Sequence, residues 1–152
     1  MNFREESVMF LATGFWVGNI PFAPGTFGSL IGLPLCFFLS RIELPLAMVL
    51  AVLFIIFSIG IAHAAEKIIR SKDPGCIVID EIAGMLVSLI GLPFNLITVT
   101  GGFIFFRILD ILKPFPIRAL DKGISGGVGV VADDVVAGIF ANCLLRLFLY
   151  LL

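Results

Sequence analysis

The chain has 152 residues, 60% of them hydrophobic and 14% charged, with a formal net charge of −1 and a mean hydropathy of +1.17. A soluble domain is nearer half apolar and one-quarter charged, so these values argue against a water-soluble globule and point to a chain that lives in lipid. The near-neutral balance offers nothing to a nucleic-acid backbone, and the length suits one domain over 1–152.

The opening Met1-Asn-Phe-Arg-Glu-Glu lacks the basic start and apolar core of a signal peptide, so no cleavage is expected. Residues 7–20 are apolar but short of the ~20 residues a span needs, which predicts an interfacial helix with Trp16 at headgroup level. Pro21 to Ser29 read as a turn feeding a first span at 27–40, which contains Pro34. A second span, 44–62, runs on into a polar surface extension from His63 to Lys72, broken at Asp73-Pro-Gly75. No charge occurs from Ile82 to Phe106, yet Gly91-Leu-Pro-Phe-Asn95 interrupts the run, which predicts helices at 82–92 and 96–112 joined as a membrane hairpin. A polar loop with Arg118, Asp121 and Lys122 follows, and a last span covers 134–152. The expected fold is all-α: a compact multi-pass bundle of four to five membrane helices plus the interfacial helix.

Basic residues fix the orientation. The hairpin puts Arg4, Lys67, Arg70, Lys72, Lys113, Arg118 and Lys122 on one side, and Arg41 and Arg146 on the other. Lys and Arg accumulate in cytoplasmic loops, so the loaded side is expected to face the cytosol. The same arrangement gathers Asp80, Glu81, Asp110, Asp133 and Asp134 at that surface, whereas one unbroken span would separate Asp80 from Asp110.

Taken singly, Asp80, Glu81, Asp133 and Asp134 are acids at helix N-termini, where the macrodipole favours them. That leaves Asp110 unexplained, since it closes a helix. Nor can five clustered carboxylates all ionise without countercharge. Oxygen ligands without a histidine or cysteine cluster suit a hard cation, Mg²⁺ first; a cation or proton pathway uses the same residue types. Arg107, Asp110 and Lys113 recur at intervals of three, the spacing of simple i,i+3 pairing but also of donors for an anionic phosphate. Thr26 and Ser29 read as caps, with Thr26 facing the site as the sharper option. His63 and Glu66 read as a surface pair, with Glu66 as a sixth acid the sharper option. The glycine loop at 123–129 is a turn into a helix or a backbone cradle for phosphate, but not a P-loop, since no Gly-Lys-Ser/Thr follows.

Other phosphatase chemistries are closed. Cys36 and Cys143 lie in apolar runs as packing residues, and a cysteine-based phosphatase loop at Cys76 would need arginine where Ile82 stands. A single histidine cannot supply phosphohistidine chemistry, and no Asp-x-Asp-x-Thr/Val pattern occurs. Metal-assisted hydrolysis remains.

Pro24-Gly-Thr-Phe-Gly-Ser29, Asp73-Pro74, Val78-Ile-Asp-Glu-Ile-Ala-Gly84, Phe106 to Pro116 and Gly127 to Gly138 together resemble the phosphatidylglycerophosphatase A family, in matching order from about residue 13 to the C-terminus. The resemblance implies a bacterial inner-membrane enzyme, multi-pass with its site toward the cytosol. It would hydrolyse the terminal phosphate of the phospholipid substrate phosphatidylglycerophosphate with Mg²⁺. By position, Asp80, Glu81, Asp110, Asp133 and Asp134 match the acidic motifs, Arg107 and Lys113 the basic ones, and Thr26 the first block. Leu109 stands where relatives often carry an aromatic residue, a departure that touches packing. The roles then expected are metal ligation by Asp80, Glu81, Asp133 and Asp134, and phosphate contact by Arg107, Lys113 and Thr26. Asp80, Asp110 and Asp134 would be catalytic, with Asp110 either a further ligand or the base that orients water. Whether the chain forms a homo-oligomer stays open.

Overall fold

A computed structural model describes residues 2–152, and all regular structure among them is helical. Helix α1 (Phe3–Ala12) begins with a capping box, in which Asn2 Oδ1 accepts from Glu5 N at 2.9 Å and Glu5 Oε2 accepts from Asn2 N at 3.0 Å. It stops earlier than the interfacial helix expected over 7–20. Thr13 Oγ1 donates back to Met9 O at 2.7 Å, and Gly14, Phe15 and Trp16 take φ of 55°, 61° and 69°. Three successive left-handed residues cannot continue a right-handed helix; a short 3₁₀ turn, Val17–Asn19, follows.

Helix α2 (Pro24–Leu39) starts earlier than the expected 27, because proline at the first helical position has φ preset and no N–H to leave unpaired. Helix α3 (Leu44–Ile69) joins the expected span and its polar extension into one element of 26 residues, ended by Arg70 in the left-handed region. Its buried residues are all small, Ala47, Ala51, Ser58, Ala62 and Ala65, while Val49, Leu53, Ile56 and Phe57 face outward. A water-soluble helix shows the reverse pattern; small residues inward and large apolar ones outward suit packing within lipid. Two helices, α3 and α7 (Gly127–Leu151), are long and apolar enough to cross a membrane.

Helix α7 corrects the expectation that the last span begins at 134. It starts at Gly127, and glycines read as a flexible loop or phosphate cradle are its close-packing positions. A methyl on Gly127 would strike Ile59 O, and one on Gly129 would strike Ile124 O. Asp133 and Asp134 therefore lie about two turns inside the helix, past the first turn where its dipole acts. Within the stretch expected to be a polar loop, Ile117–Gly123 form helix α6.

The centre of the bundle is α4 (Ile79–Leu89), in which every residue but Glu81 and Val87 is buried. Helices α2, α3, α5 (Leu96–Leu112) and α7 all pack on it. Gly84 and Gly138 bring α4 and α7 together, since a methyl on Gly84 would lie 2.8 Å from Asp134 O and one on Gly138 3.1 Å from Val87 Cβ. Asn95 caps α5 by accepting from Thr98 N at 3.0 Å.

The C-terminal end of α4 is buried, and its free carbonyls are met from α7. The two N–H of Asn142 Nδ2 are shared among Val87 O at 3.2 Å, Ser88 O at 3.0 Å and Ile90 O at 3.0 Å. Arg146 Nη2 donates to Ile90 O and Gly91 O, both at 3.2 Å, and its Nε to Asn142 Oδ1 at 2.8 Å. Arg146, expected only as a charge on the sparsely basic side, thus closes a helix end with Asn142.

Candidate active site

The start of α4, the end of α5 and a point about two turns into α7 converge away from Asn142 and Arg146. Asp80 and Glu81 sit in the first turn of α4, Asp110 in the last turn of α5, and Asp133 and Asp134 in α7. Asp80 is 6% exposed, and Asp133 and Asp134 are each 3% exposed. Such burial is costly for a carboxylate unless something holds it.

Asp80, Glu81 and Asp134 each offer an oxygen, and these three oxygens lie within 4.8 Å of one another. Asp133 falls outside that group. Four buried carboxylate oxygens have no hydrogen-bond partner among the described residues: Asp80 Oδ1, Glu81 Oε2, Asp133 Oδ1 and Asp134 Oδ2. Carboxylate oxygens that converge in a buried space, as those of Asp80, Glu81 and Asp134 do, are the donor type that a hard divalent cation takes. The donor set fits Mg²⁺: oxygen only, with neither imidazole nor thiolate among the convergent groups.

The bases frame these acids. Arg107 Nη1 bonds to Asp110 Oδ2, the i,i+3 pairing that their spacing allowed. The Asp110 carboxyl also lies against that of Asp134. Lys113 does not join them along the α5 face; as the helix C-cap it takes φ 43° and turns across to Asp133 Oδ2 at 2.6 Å and Asp121 Oδ1 at 3.1 Å. A non-glycine residue held in the left-handed region beside a site is backbone strain sustained by its contacts. Burial works against the Lys113 charge, but Asp133 and Asp121 outweigh it and push its pKa above the ordinary lysine value. Lys113 therefore stays an ammonium throughout the physiological range.

Thr26 lies in the first turn of α2, half-buried, with its N–H on Ala23 O at 3.0 Å and no side-chain hydrogen bond among the described residues. Its neighbour Gly25 touches the site more directly. A methyl there would run into Glu81 Oε1 and come within 3.1 Å of both Arg107 guanidinium nitrogens, Nη1 and Nη2. Gly25 was legible only as part of a turn, because nothing in a one-dimensional pattern says that another helix needs its missing side chain.

Two further residues depart from expectation. Glu66 Oε1 accepts from Asp73 N at 2.9 Å, so this acid clips the loop after α3, while His63 is exposed beside it. Asp121, read only as loop charge, is the second partner of Lys113. No periodicity links Asp121 to Lys113 across Pro114-Phe-Pro116, so the sequence carried no signal for the pair.

Comparison with known proteins identifies the chain's relatives. The family model described as Phosphatidylglycerophosphatase A matches residues 10–149. Phosphatidylglycerophosphatase A of Escherichia coli (strain K12) is 39% identical over 132 residues, covering 86% of this chain and 77% of that protein. The Haemophilus influenzae protein of the same name is 36% identical over 133 residues, covering 86% of this chain and 82% of its own. A Bacteroides thetaiotaomicron protein named putative phosphatidylinositol-3-phosphatase is 36% identical over 143 residues, covering 89% of each chain. No solved structure matches the chain. With an all-helical fold, a buried acidic group flanked by basic side chains, and a match over nearly its whole length, the chain belongs to the phosphatidylglycerophosphatase A family of lipid phosphatases.

Proposed function

We propose that the protein is a membrane-embedded, Mg²⁺-dependent phosphatase that removes the terminal phosphomonoester of phosphatidylglycerophosphate, leaving phosphatidylglycerol and phosphate. The observation that carries this reading is the set of partnerless buried oxygens on Asp80, Glu81, Asp133 and Asp134, beside the cations of Arg107 and Lys113. Asp80, Glu81 and Asp134 would hold the metal, and Asp133 would offer Oδ1 while its Oδ2 stays with Lys113. When bound, Mg²⁺ supplies Lewis-acid polarisation of the phosphoryl group and lowers the pKa of water.

The chain's own residues do the rest. Arg107 and Lys113 present N–H donors to the phosphoryl oxygens, where charge-assisted bonds are strongest. Asp110, tied to Arg107, would accept a proton from the attacking water, a role that its bond to the guanidinium and its site in the last turn of α5 support. Thr26, from the first turn of α2, is the further candidate for phosphate contact. In this reading four to five helices lie in the membrane, α4 and α5 form a hairpin, and the site end faces the cytosol, where the basic residues gather. The rival reading, a small cation or proton transporter, needs acids along the depth of the bundle. Here they collect at one end of it.

Purified protein in detergent is expected to release phosphate from phosphatidylglycerophosphate only with Mg²⁺, and to stop on addition of chelator. Turnover unchanged by chelator would sink the metal reading. Faster turnover of phosphatidylinositol 3-phosphate would move the substrate toward that named for the Bacteroides relative. Gly25→Ala offers a second check. Its methyl displaces Glu81 and Arg107 together, so phosphate release is expected to fall about tenfold or more, for an overpacking cost of only about 1–3 kcal/mol in stability.

A further inference from the structure

We propose that Asp121 is a positioning residue for Lys113, fixing the direction in which that ammonium presents its remaining N–H to the substrate phosphate. The inference rests on the reading of Lys113 as a phosphate contact.

An ammonium has three donors on a flexible four-carbon stem, so one partner leaves it free to swivel. Lys113 has two partners on different helices: Asp133 Oδ2 on α7 at 2.6 Å and Asp121 Oδ1 on α6 at 3.1 Å. Two bonds from separate directions leave one N–H and settle where it points. The partners are also unlike. The Asp133 side chain is 4% exposed and belongs to the floor of the acidic group, whereas that of Asp121 is 32% exposed, at the rim. Lys113 itself stands between, at 26% exposure, where a ligand arriving from the rim meets it.

Three features separate this from a surface ion pair made by chance. Lys113 holds φ 43°, an uncommon conformation for a lysine, and it is this cap that turns the stem off the α5 face toward α6 and α7. Asp121 has basic neighbours in its own stretch, Arg118 and Lys122, yet its ion pair among the described residues is with Lys113. Finally, Asp121 is not among the acids whose oxygens converge and holds no unpartnered buried oxygen, so it acts through Lys113 and not as a ligand of the proposed metal.

The test is a double-mutant cycle read as phosphate release from phosphatidylglycerophosphate in detergent with Mg²⁺. Asp121→Ala, which deletes the acceptor, is expected to raise KM about tenfold, the worth of one charge-assisted hydrogen bond, and Asp121→Asn, whose Oδ1 still accepts but without charge, is expected to raise it less. Asp121→Glu should recover most of that loss, and kcat should change far less than KM. In a Lys113→Ala background the Asp121 substitutions are expected to change nothing further, because the group they act through is gone. Wild-type KM in Asp121→Ala, with Lys113→Ala impaired, would overturn the inference alone. So would an equal further loss in the Lys113→Ala background, which would mark Asp121 as structural support for α6. Full activity in Lys113→Ala would instead remove the phosphate-contact reading, and this inference with it.

Discussion

Asp134→Asn is expected to abolish phosphate release, by about 10²–10³-fold or more, while leaving protein that is as stable in chelator as the wild type, or more so. Asp134 is the α7 contribution to the group whose oxygens lie within 4.8 Å of one another, and its Oδ2 has no partner among the described residues. It is 3% exposed and shares its buried space with the carboxylates of Asp80 and Glu81, like charges that a cation would balance. An amide of the same shape removes one of those charges and with it the affinity for the metal. Wild-type protein, by contrast, should gain stability with Mg²⁺, by roughly 2.7 kcal/mol at a hundredfold excess over Kd. Thermal unfolding of both proteins, with Mg²⁺ and with chelator, checks the claim. A variant that keeps its activity, or that still gains Mg²⁺-dependent stability equal to wild type, would take Asp134 out of the site.

The second large effect belongs to stability alone. Asn142→Ala removes the donor that serves the carbonyls of Val87, Ser88 and Ile90, leaving only Arg146 at that helix end. Buried acceptors that lose their donor cost their full desolvation penalty. The expected loss is about 2–4 kcal/mol, or roughly 5–15 °C in thermal midpoint for a chain of this size. Because Asn142 stands at the opposite end of α4 from Asp80, specific activity per folded molecule should be unchanged. A midpoint within a degree or two of wild type would show that these hydrogen bonds contribute little.

How much of this was legible in the sequence depends on what each residue answers to. The all-helical class and the α5 boundaries followed from hydropathy and from the break at Gly91 to Asn95, which are local signals. Asp80 and Glu81 were visible as acids opening a helix for the same reason. The start of α7 was misread because Gly127 and Gly129 look like loop residues by propensity. They are glycines because Ile59 and Ile124 backbone carbonyls lie where a side chain would go, and only packing reveals that. The same holds for Gly25 against Glu81 and Arg107. Lys113 shared a face with Arg107 and Asp110 by spacing, but its left-handed backbone sends it elsewhere, to Asp133 and to an unexpected partner, Asp121. Arg146 was legible only as a charge on the sparsely basic side, and Asn142 drew no reading, since only the fold brings the end of α4 to them.

The shortness of α4 has a mechanical consequence. Its eleven residues reach about 16 Å, roughly half of a hydrocarbon layer about 30 Å thick. In the proposed bilayer placement, Asp80 and Glu81 ride on a post whose foot is held by Asn142 and Arg146 of α7, with no anchor of its own among the headgroups of the far leaflet. Thickening or thinning the bilayer would tilt α3, which is long enough to feel both surfaces and carries none of the five clustered acids. The reaction centre would keep its height relative to the near leaflet, where its lipid phosphate arrives.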